Sequence, residues 1–493
     1  MSREVQELAD DLKTRLSQYV DMFNREDDEL YPQLITNDKA YDYLAEQAPL
    51  IDVPDKTIEK TYYYRLWTLR KHWKNTPDGH ILTEFHPDVN WAGPYNSINA
   101  AAGHHFREAR WLKDPENWVR EYLSFWLDRK GGSLSYSTWY ASAAEDYFRL
   151  HPDRKYEEAC LDKLISLYED RARRNAHACG LYWSEDDRDA MELSISGSGI
   201  RPTLNSYMYG DACAIARMAT RQGKTKLSDE YAAKAEFIRD RMNALLWDRD
   251  FYKVISCGQN ESFSGEQRPV VPPEHNVREE LGYIPWYFHM PDSDKSVAFA
   301  QLMSEDGFRA PCGITTAERR HPRFMFRHEH ECLWNGPVWP FATTQTLVAL
   351  ANHLHDHGEE FITKQDYYTL LVQYAASHHI VDDHGEKRMW IDEDMDPFTG
   401  DWIARTELKA DNWNPARGGY ERGKDYNHSG FCDLVLSGLL GIDIKDGKLT
   451  VDPLVPDDWD YFCVTNLTEK NYSVIYDRTG ERYGLGAGIR ILG

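Results

Sequence analysis

The sequence predicts a mainly α-helical protein, a toroid of inner and outer helices, that ends in a small β-rich module. Hydrophobic residues recur at helical spacing from about residue 60 to residue 440. In this region a helix rich in small and aromatic residues is repeatedly followed by a short polar turn and a charged amphipathic helix. The first helix of each pair is apolar on nearly all sides and must be buried, so the second must lie outside it. Several such pairs that close into a ring give an α/α toroid.

Four segments show this pairing, and the clearest one covers residues 202–223 and 226–248. Pro202 suits the first turn of its helix, and Gly223 suits the end of that helix. Near the N-terminus, apolar residues at helical spacing predict one further amphipathic helix. The other three pairs lie at residues 96–129, 137–174 and 336–379.

The segments outside the helical pairs carry other patterns. Residues 250–330 are punctuated by Pro and Gly, which predicts long loops and one helix near residues 295–304. After residue 441, short alternating runs bounded by Gly predict β-strands. We therefore expect a barrel domain with an N-terminal helical lead-in at residues 1–440, and a β-rich module at residues 441–493 packed on it.

The inner helices begin alike, with polar and aromatic residues together. Side chains at equivalent ends of inner helices would converge on one mouth of the ring. Helix capping accounts for Ser and Asn at these positions, but it does not account for Trp and Tyr. The sequence therefore predicts a polar and aromatic site at this mouth. The segments are residues 96–97, 136–139, 205–207, 334–336 and 426–429.

Composition narrows the class of function. The 493 residues include 57 Lys and Arg against 81 Asp and Glu, a net charge of −24, which disfavours a nucleic-acid partner. No run approaches the length of about 18 apolar residues that a membrane span needs. The chain holds 16 Trp, 30 Tyr and 18 Phe, and such rings stack on the apolar faces of sugars. Sugar binding is therefore the class that the composition favours.

The N-terminal residues and the cysteines indicate a cytoplasmic location. Residues 1–20 show neither a basic n-region nor an apolar h-region, so we expect no secretory signal. The eight cysteines never form a C-x-x-C pair or a zinc spacing, which is typical of scattered reduced thiols.

Two acidic segments sit beside tryptophans and next to inner helices. Glycoside hydrolysis needs two carboxyl groups, one acid and one base or nucleophile, that flank the scissile bond. Apolar neighbours raise the pKa of a carboxyl group and so favour a general acid. The first segment, residues 180–207, contains Glu185, Asp186, Asp187, Asp189 and Glu192, and the second, residues 388–407, contains Asp392, Glu393, Asp394 and Asp396.

Short motifs in these segments resemble those of a known family. Residues 190–194 (AMELS) are similar to G-M-D-N-S, residues 334–340 (WNGPVWP) to W-x-G-P-V-W, and residues 393–400 (EDMDPFTG) to E-x-Y-x-P-x-T-G. Residues 426–431 match a final aromatic-plus-Ser element. The chain resembles the mannosylglycerate-hydrolase-like toroid enzymes of glycoside hydrolase family 63, over about residues 60–440.

The resemblance implies an (α/α)6 barrel and the roles of two residues. Glu192 takes the position of the general acid, although the family usually has Asp there, and Glu393 takes that of the general base. Asp187 and Asp189 remain rivals for the acid, because a loop alignment slips easily. Near the first inner helix the family carries Trp-Asp, whereas this chain has Asn90-Trp91, which leaves the identity of the sugar open.

The leading hypothesis is an exo-acting glycosidase, inverting in mechanism, that removes a terminal α-linked gluco- or manno-configured sugar. We expect sugar stacking from Trp91, Trp183, Trp334, Trp339 and Trp390, and hydroxyl contacts from Asn96, Arg201, Tyr207, Asn335 and His428. Tyr95, Asp189 and Asn205 complete the set of expected contact residues.

The turn that follows Glu393 suits a base. Pro397 and Gly400 fix this turn and can hold the carboxylate still. In an extended strand, alternation sends Asp392 and Asp394 to the opposite face, which would leave Glu393 alone with the attacking water.

Three alternatives stay open. An epimerase or isomerase on the same toroid would use a pair of the 19 histidines, but the two carboxylate motifs would then have no purpose. A furanosidase, such as an arabinofuranosidase, also fits this scaffold. A sugar-binding protein without catalysis remains because position 192 is not the usual Asp.

Neither of two possible metal motifs is complete. Residues 328–331 (HEHE) are not H-E-x-x-H and have no third ligand beside them. The acidic residues of segment 392–396 copy the start of a calcium loop, but Pro397 and Ile403 stand where Gly and Glu are needed. We expect no metal and no cofactor, and a glycoside or oligosaccharide as the partner.

Overall fold

The mainly helical architecture is confirmed. A computed structural model describes residues 3–263, 265–328, 330–382, 384–445 and 447–493, with side chains from Val5 onward. The α-helices are α1 (Arg3–Glu26), α2 (Ala40–Gln47), α3 (Lys56–Lys71), α4 (Ala102–Ala109), α5 (Trp118–Leu127), α6 (Tyr140–Leu150), α7 (Arg154–Asn175), α8 (Pro202–Arg221), α9 (Thr225–Leu245), α10 (Ile284–Tyr287), α11 (Pro340–His357), α12 (Lys364–Ser377) and α13 (Ile403–Ala410).

The helices form the predicted ring of inner and outer elements. The inner layer is α4, α6, α8, α10, α11 and a π-helical segment at Leu434–Leu439, and successive members contact one another. The outer layer is α5, α7, α9, the 3-10 helix Ser293–Gln301, α12 and α3. The helix expected near residues 295–304 is this 3-10 helix. Helix α1 packs on the outside of α3.

Local sequence sets where the paired helices begin and end. Pro202 and Pro340 occupy the first turns of α8 and α11, where a missing N–H costs no hydrogen bond. Gly223 has a φ of 72°, a left-handed conformation that favours glycine, and it separates α8 from α9. Helix α12 begins with a capping box between Thr363 and Asp366.

The strands form several small sheets. The largest is antiparallel, in the order β1-β15-β16-β17, and β13 pairs with β14. Strand β1 comes from the N-terminal part of the chain, so the division at residue 440 stays a prediction. The strands are β1 (Leu50–Asp52), β2 (Trp73–Thr76), β3 (Gly79–Leu82), β4 (Trp183–Ser184), β5 (Gly199–Ile200), β6 (Trp247–Asp248), β7 (Phe251–Tyr252), β8 (Ile255–Ser256), β9 (Arg309–Ala310), β10 (Gly313–Ile314), β11 (His379–Val381), β12 (Lys387–Met389), β13 (Ile442–Lys445), β14 (Lys448–Val451), β15 (Tyr461–Leu467), β16 (Tyr472–Asp477) and β17 (Gly488–Leu492).

The ring closes where the first inner helix meets the last inner segment. Asp433 precedes the π-helical segment, and its carboxylate accepts hydrogen bonds from Arg107 Nε (2.6 Å) and Arg110 Nη2 (2.5 Å). Glu108 of α4 accepts from the backbone N–H groups of Cys432 (2.9 Å) and Asp433 (2.9 Å). These charge-assisted bonds lock α4 to residues 431–437 and complete the ring.

Within the part of the chain that the structure describes, no helix is both long enough and apolar enough to cross a membrane.

Replacing Asp433 tests this closure. Asp433→Ala removes the carboxylate closest to Arg107 and Arg110 and leaves them the longer contacts with Asp146, at 3.4 and 3.5 Å, which should lower the free energy of unfolding by about 3 kcal/mol. Denaturant titration at pH 7 measures this loss. Asp457→Ala, at the exposed pair with Lys364, is the control and should change little.

The loss of unfolding free energy caused by Asp433→Ala should depend on pH. The two arginines hold the pKa of Asp433 below its ordinary value. The stabilisation is therefore present above the unfolded-state value of about 3.9 and fades as the pH falls below it. A difference between the wild type and Asp433→Ala that is as large at pH 3 as at pH 7 would contradict the ion-pair explanation.

Candidate active site

Three carboxyl groups, those of Glu84, Glu192 and Glu393, lie together and are called the carboxyl cluster below. The charges of Glu192 and Glu393 both raise the pKa of Glu84, and the charge of Glu393 raises the pKa of Glu192. The backbone connects them as well, because Trp334 N donates to Glu192 O (3.0 Å) and the Cys332 thiol donates to Glu393 Oε2 (3.0 Å). The two acidic segments of the sequence therefore meet at the loop before α11.

Glu192 has the properties of a carboxylic acid that keeps its proton at neutral pH. It lies in the irregular loop after the 3-10 helix Asp187–Asp189, and its neighbour Leu193 has a φ of 57°. Burial raises the pKa of Glu192 to about 8, and the charges of Asp187 and Glu393 act in the same direction. A general acid must carry a proton before it can donate one, so this environment suits Glu192 to that role.

Glu393 is held by an arginine that the sequence did not indicate. Arg422 Nε donates to Glu393 Oε1 (2.7 Å), and Nη2 donates to Oε2 (3.0 Å), a two-bond pair that favours the ionised carboxylate. Arg422 Nη1 also donates to Glu331 Oε1 (2.8 Å). The expectation that Glu393 stands alone is thus wrong, because Arg422 reaches it from 29 residues further along the chain.

The acidic neighbours of Glu393 have partners of their own. Asp392 accepts from Trp390 Nε1 (3.0 Å), and Asp394 accepts from Ala404 N (3.1 Å). Burial, followed by the charge of Glu393, raises the pKa of Asp392 to about 7 and that of Asp394 well above its ordinary value. Among the described residues, the side chains that donate hydrogen bonds to the Glu393 carboxylate are therefore those of Arg422 and Cys332.

Glu84 is a third carboxyl group that sequence reasoning missed. It is 6% exposed, and Tyr426 donates its hydroxyl to Glu84 Oε1. Burial raises the pKa of Glu84 to about 8. Glu84 lies in the aromatic segment before the first inner helix, so the filter applied to the other acidic segments would have found it there. Arg422 and Cys332 carried no comparable signal.

Aromatic rings form a continuous wall beside the carboxyl cluster. Trp334 stacks on Trp339 at 4.5 Å between ring centroids, and Trp339 contacts His428 at 5.8 Å. His428 stacks on Tyr426 at 3.7 Å. On the other side, the Arg422 guanidinium lies 5.2 Å from the centre of the Trp91 ring. The structure thus brings together Trp91, Trp334, Trp339 and His428 from the expected set.

Several buried polar atoms of this wall have no hydrogen-bond partner among the residues that the structure describes. They are both ring nitrogens of His428, Trp334 Nε1, Asn335 Oδ1 and Glu84 Oε2. Such atoms are rare in folded proteins and are usually satisfied by water or by a ligand. A sugar carries hydroxyl groups around an apolar ring and so matches aromatic walls with unsatisfied donors and acceptors.

Four expected contact residues have their polar groups engaged within the protein. Asn96 accepts from Val89 N (2.9 Å) and donates to Phe85 O (3.1 Å). Asn205 bonds both backbone groups of Tyr182, at 2.9 Å each. Their predicted contact with a sugar, like those of Arg201 and Tyr207, stays a prediction.

The carboxyl group of Asp189 is engaged within the protein. It is buried and accepts from Ser137 Oγ (2.7 Å), Ser184 Oγ (2.9 Å) and Arg201 Nε (2.7 Å). These bonds tie Arg201 to the loop that carries Glu192. Asp189 and Arg201 therefore position this loop.

The other expected residues lie nearer the surface. Trp183 donates from Nε1 to Cys257 O (2.8 Å), and Tyr95 donates its hydroxyl to Asp78 Oδ2 (2.9 Å). Trp390 lines a different cavity of about 230 Å³, beside α1. Tyr207, in contrast, is buried and accepts from Gln345 Nε2 (2.7 Å).

The described residues include no group of three or more His, Cys, Asp or Glu side chains arranged to hold a metal ion. Glu329, from the HEHE run, lies outside the described residues.

An α/α toroid that brings carboxyl groups together beside an aromatic wall has the parts that glycoside hydrolysis needs. The family model of the mannosylglycerate hydrolase MGH1-like glycoside hydrolase domain matches residues 94–429, more than half of the chain. The chain belongs to this family of glycoside hydrolase domains.

Three solved structures place the chain among its relatives. A chain named sialidase is 35% identical with a TM-score of 0.87, and the match covers 97% of this chain but 43% of that one. This chain therefore spans less than half of that relative.

The other two structures show the fold alone. The family 63 mannosylglycerate hydrolase from Thermus thermophilus, in complex with glucose, is 12% identical, with a TM-score of 0.51 over 76% of this chain and 98% of that one. The α-L-rhamnosidase of Streptomyces avermitilis, complexed with L-rhamnose, is 12% identical, with a TM-score of 0.53 over 87% of this chain and 36% of that one.

Replacing Arg422 tests whether the geometry of its pair with Glu393 matters for activity. Arg422→Lys keeps the charge but cannot make both hydrogen bonds to Glu393, so kcat should fall by about 10- to 100-fold. The measurement is turnover of the best substrate, together with the melting temperature. Arg405→Lys, in the two-bond pair with Glu421, is the matched control and should keep kcat within about threefold.

Proposed function

We propose that the protein is an exo-acting, inverting glycosidase, with Glu192 as the general acid and Glu393 as the general base. The observation that carries this proposal is the contrast within the carboxyl cluster. The pKa of Glu192 is raised to about 8, whereas Glu393 is bound through both oxygens by Arg422. Two carboxyl groups in such different surroundings are what acid and base catalysis requires.

Glu192 protonates the glycosidic oxygen as the bond to the leaving group breaks. Its position in the loop beside Asp186 and Asp187 puts negative charge around the carboxyl group, which favours the protonated form. Loss of the proton in the transition state leaves a carboxylate there, and the loop is braced for this by the Asp189–Arg201 pair.

Glu393 removes a proton from the water that attacks the anomeric carbon. Arg422 and the Cys332 thiol fix both carboxylate oxygens, so the base is held in one orientation before the substrate binds. The burial of Glu393, at 2% exposed, removes competing bulk water. As the products leave, Glu393 releases the proton that it took from the water and Glu192 takes up a proton from solvent, so the net reaction consumes one water for each bond cleaved.

The buried wall supports removal of one terminal sugar. His428, Phe341 and His104 are packed ring to ring at the ends of the inner helices, with His104 and Phe341 4.6 Å apart. Rings packed in this way would close one end of the site, so that it accepts a chain end and excludes an internal residue of a polysaccharide. The family resemblance supports an α-linked gluco- or manno-configured sugar.

The test is hydrolysis of a panel of nitrophenyl glycosides and disaccharides, including an arabinofuranoside, followed by proton NMR. The expected result is release of one terminal sugar, which first appears with the anomeric configuration opposite to that of the substrate. A retained anomer would make Glu393 a nucleophile, and a single altered sugar without hydrolysis would indicate an epimerase.

Glu393→Gln should lose activity and keep substrate binding. An amide cannot take a proton, so kcat should fall by about 10²–10⁴-fold while KM changes little. The matched control is Glu331→Gln, which removes the other carboxylate bound to Arg422 and should keep kcat within about tenfold. If both variants lose stability and kcat equally, Glu393 only braces Arg422.

Activity should decline on the alkaline side of neutrality. Glu192 is protonated below its raised pKa of about 8 and loses its proton above it, so kcat/KM should fall as the pH rises through this value. The acidic groups that interact with it are Asp186, Asp187, Glu393 and Glu84. The pH profile of kcat/KM measures the effect.

A control variant identifies the group responsible for the alkaline limb. Glu192→Gln should remove that limb and should be more active on a dinitrophenyl glycoside than on an alkyl glycoside, because dinitrophenolate leaves without protonation. An unchanged alkaline limb in Glu192→Gln would assign the acid to another group.

A further inference from the structure

Glu280 is a buried carboxyl group that takes no part in the proposed acid and base steps. It begins the 3-10 helix Glu280–Tyr283, it is 2% exposed, and its backbone N donates to Thr316 O (2.8 Å). Neither oxygen of its carboxyl group has a hydrogen-bond partner among the residues that the structure describes. A buried polar group without a partner disfavours folding, so each such group in a native protein needs an explanation.

The surroundings of Glu280 keep its carboxyl group neutral. Burial raises the pKa of Glu280 well above its ordinary value, and the nearby Thr346 hydroxyl opposes this increase only in part. Within the described part of the chain, no positively charged side chain lowers this pKa. An ionised carboxylate without a cation is very costly in an apolar interior, so Glu280 keeps its proton and offers one O–H donor together with acceptor oxygens.

A small internal cavity lies beside Glu280 and beside the loop that carries Glu192. Its volume is about 10 Å³, which is about what one water molecule requires. Met191 and Ser194, from that loop, line the cavity. Trp334, from the loop before α11, and Glu280 line it as well. All the residues that line it are buried, so a water in this cavity would be part of the folded structure and not of the bulk solvent.

Trp334 and Glu280 supply the open polar atoms of this cavity. Trp334 Nε1 is buried and has no hydrogen-bond partner among the described residues. The face of this ring stacks on Trp339 at 4.5 Å between ring centroids, whereas the N–H group lies on the edge of the ring. A buried water needs two or more polar partners, and an indole donor together with a carboxylic acid meets that need. The other polar residues of the cavity, which already have partners within the protein, are Ser194, Glu279 and Thr316.

We propose that this cavity binds one water molecule that joins Trp334 Nε1 to the Glu280 carboxyl group, and that Glu280 is thereby a positioning residue for the Glu192 loop. The water accepts a hydrogen bond from Trp334 and shares one with Glu280. The Trp334 N–H is then satisfied by water and not by a sugar hydroxyl. The positioning role rests on the proposed function, because it concerns the general acid of that reaction, whereas the water site does not rest on it.

Trp334 links this water to the general acid. Its backbone N donates to Glu192 O (3.0 Å), so a shift of Trp334 moves the backbone of the acid loop. The stack with Trp339 holds one face of the ring and the water holds its edge, and together they fix one orientation of the side chain. Misplacement of a catalytic group by about 1 Å can cost about 100-fold in rate, so loss of the edge contact should lower kcat without changing the fold.

A crystal structure at high resolution tests the water site without requiring turnover. One ordered water should lie within about 3.2 Å of both Trp334 Nε1 and one Glu280 oxygen in the wild-type protein, and should be missing in Glu280→Met. In ¹⁵N-labelled protein, the indole N–H resonance that Trp334→Phe removes should shift in Glu280→Met, because its acceptor is lost. A wild-type cavity without water, or an indole resonance that Glu280→Met leaves unchanged, would overturn the inference.

Three variants test the positioning role. Glu280→Gln stays neutral and keeps a donor and an acceptor, so its kcat should stay within about threefold, whereas the apolar Glu280→Met should lose about tenfold in kcat. The melting temperature of Glu280→Met should change little, because removal of a buried carboxyl group offsets the cost of an unsatisfied Trp334 N–H. The control is Ser296→Ala, which removes another buried hydroxyl that lacks a partner in the described part of the chain, and it should leave kcat unchanged.

A merely structural role of Glu280 would give a different pattern. A loss of kcat in Glu280→Gln as large as in Glu280→Met, or a loss that follows a fall in the melting temperature, would contradict the positioning role.

The two proposals fail in different ways. A protein with the ordered water and the shifted indole resonance that hydrolyses no glycoside would confirm the water site and contradict the proposed function. An active hydrolase whose Glu280→Met variant keeps the wild-type kcat would contradict the positioning role and leave the roles of Glu192 and Glu393 intact.

Discussion

Closure of the inner ring is the constraint on which the rest of the structure depends. Each inner helix contributes its beginning to the same mouth, so the site exists only when the first and last inner elements meet. Asp433 and the two arginines of α4 make that junction, and Glu108 secures the backbone beside it. The junction lies immediately after residues 426–429, which carry Tyr426 and His428. The ion pairs that complete the fold therefore also fix one wall of the site.

Within the ring, the guanidinium group of Arg422 makes the surroundings of the three carboxyl groups different. Arg422 binds Glu393 through two hydrogen bonds and leaves Glu192 and Glu84 without a comparable partner. Burial is the largest influence on these two, the neighbouring carboxyl groups add to it, and the pKa of each is raised to about 8. Groups of one chemical type thus acquire different surroundings from the placement of one cation.

The site carries an energetic cost that the surrounding fold offsets. Buried polar atoms without partners, such as those of His428 and Trp334, each disfavour the folded state. The stacked rings of Trp334, Trp339 and Tyr426 supply apolar contact in the same place, and paired helices bury the remaining core. Unsatisfied groups held this rigidly are ready for a ligand, because little is reorganised on binding.

The sequence by itself determined the paired helices, their inner and outer placement, and the two acidic segments. These features are local: helical spacing, Pro202, Gly223 and short motifs act within a few residues of one another. The partners of the site are not local. Tyr426 and Glu84 are 342 residues apart, and strand β1 pairs with β15 from the opposite end of the chain. Arg422 stands in a polar stretch where nothing distinguishes it from Arg405, yet one holds Glu393 and the other holds Glu421. Periodicity records which face of an element is buried but not which distant side chain meets it, so the pairing of charges was decided only when the ring closed.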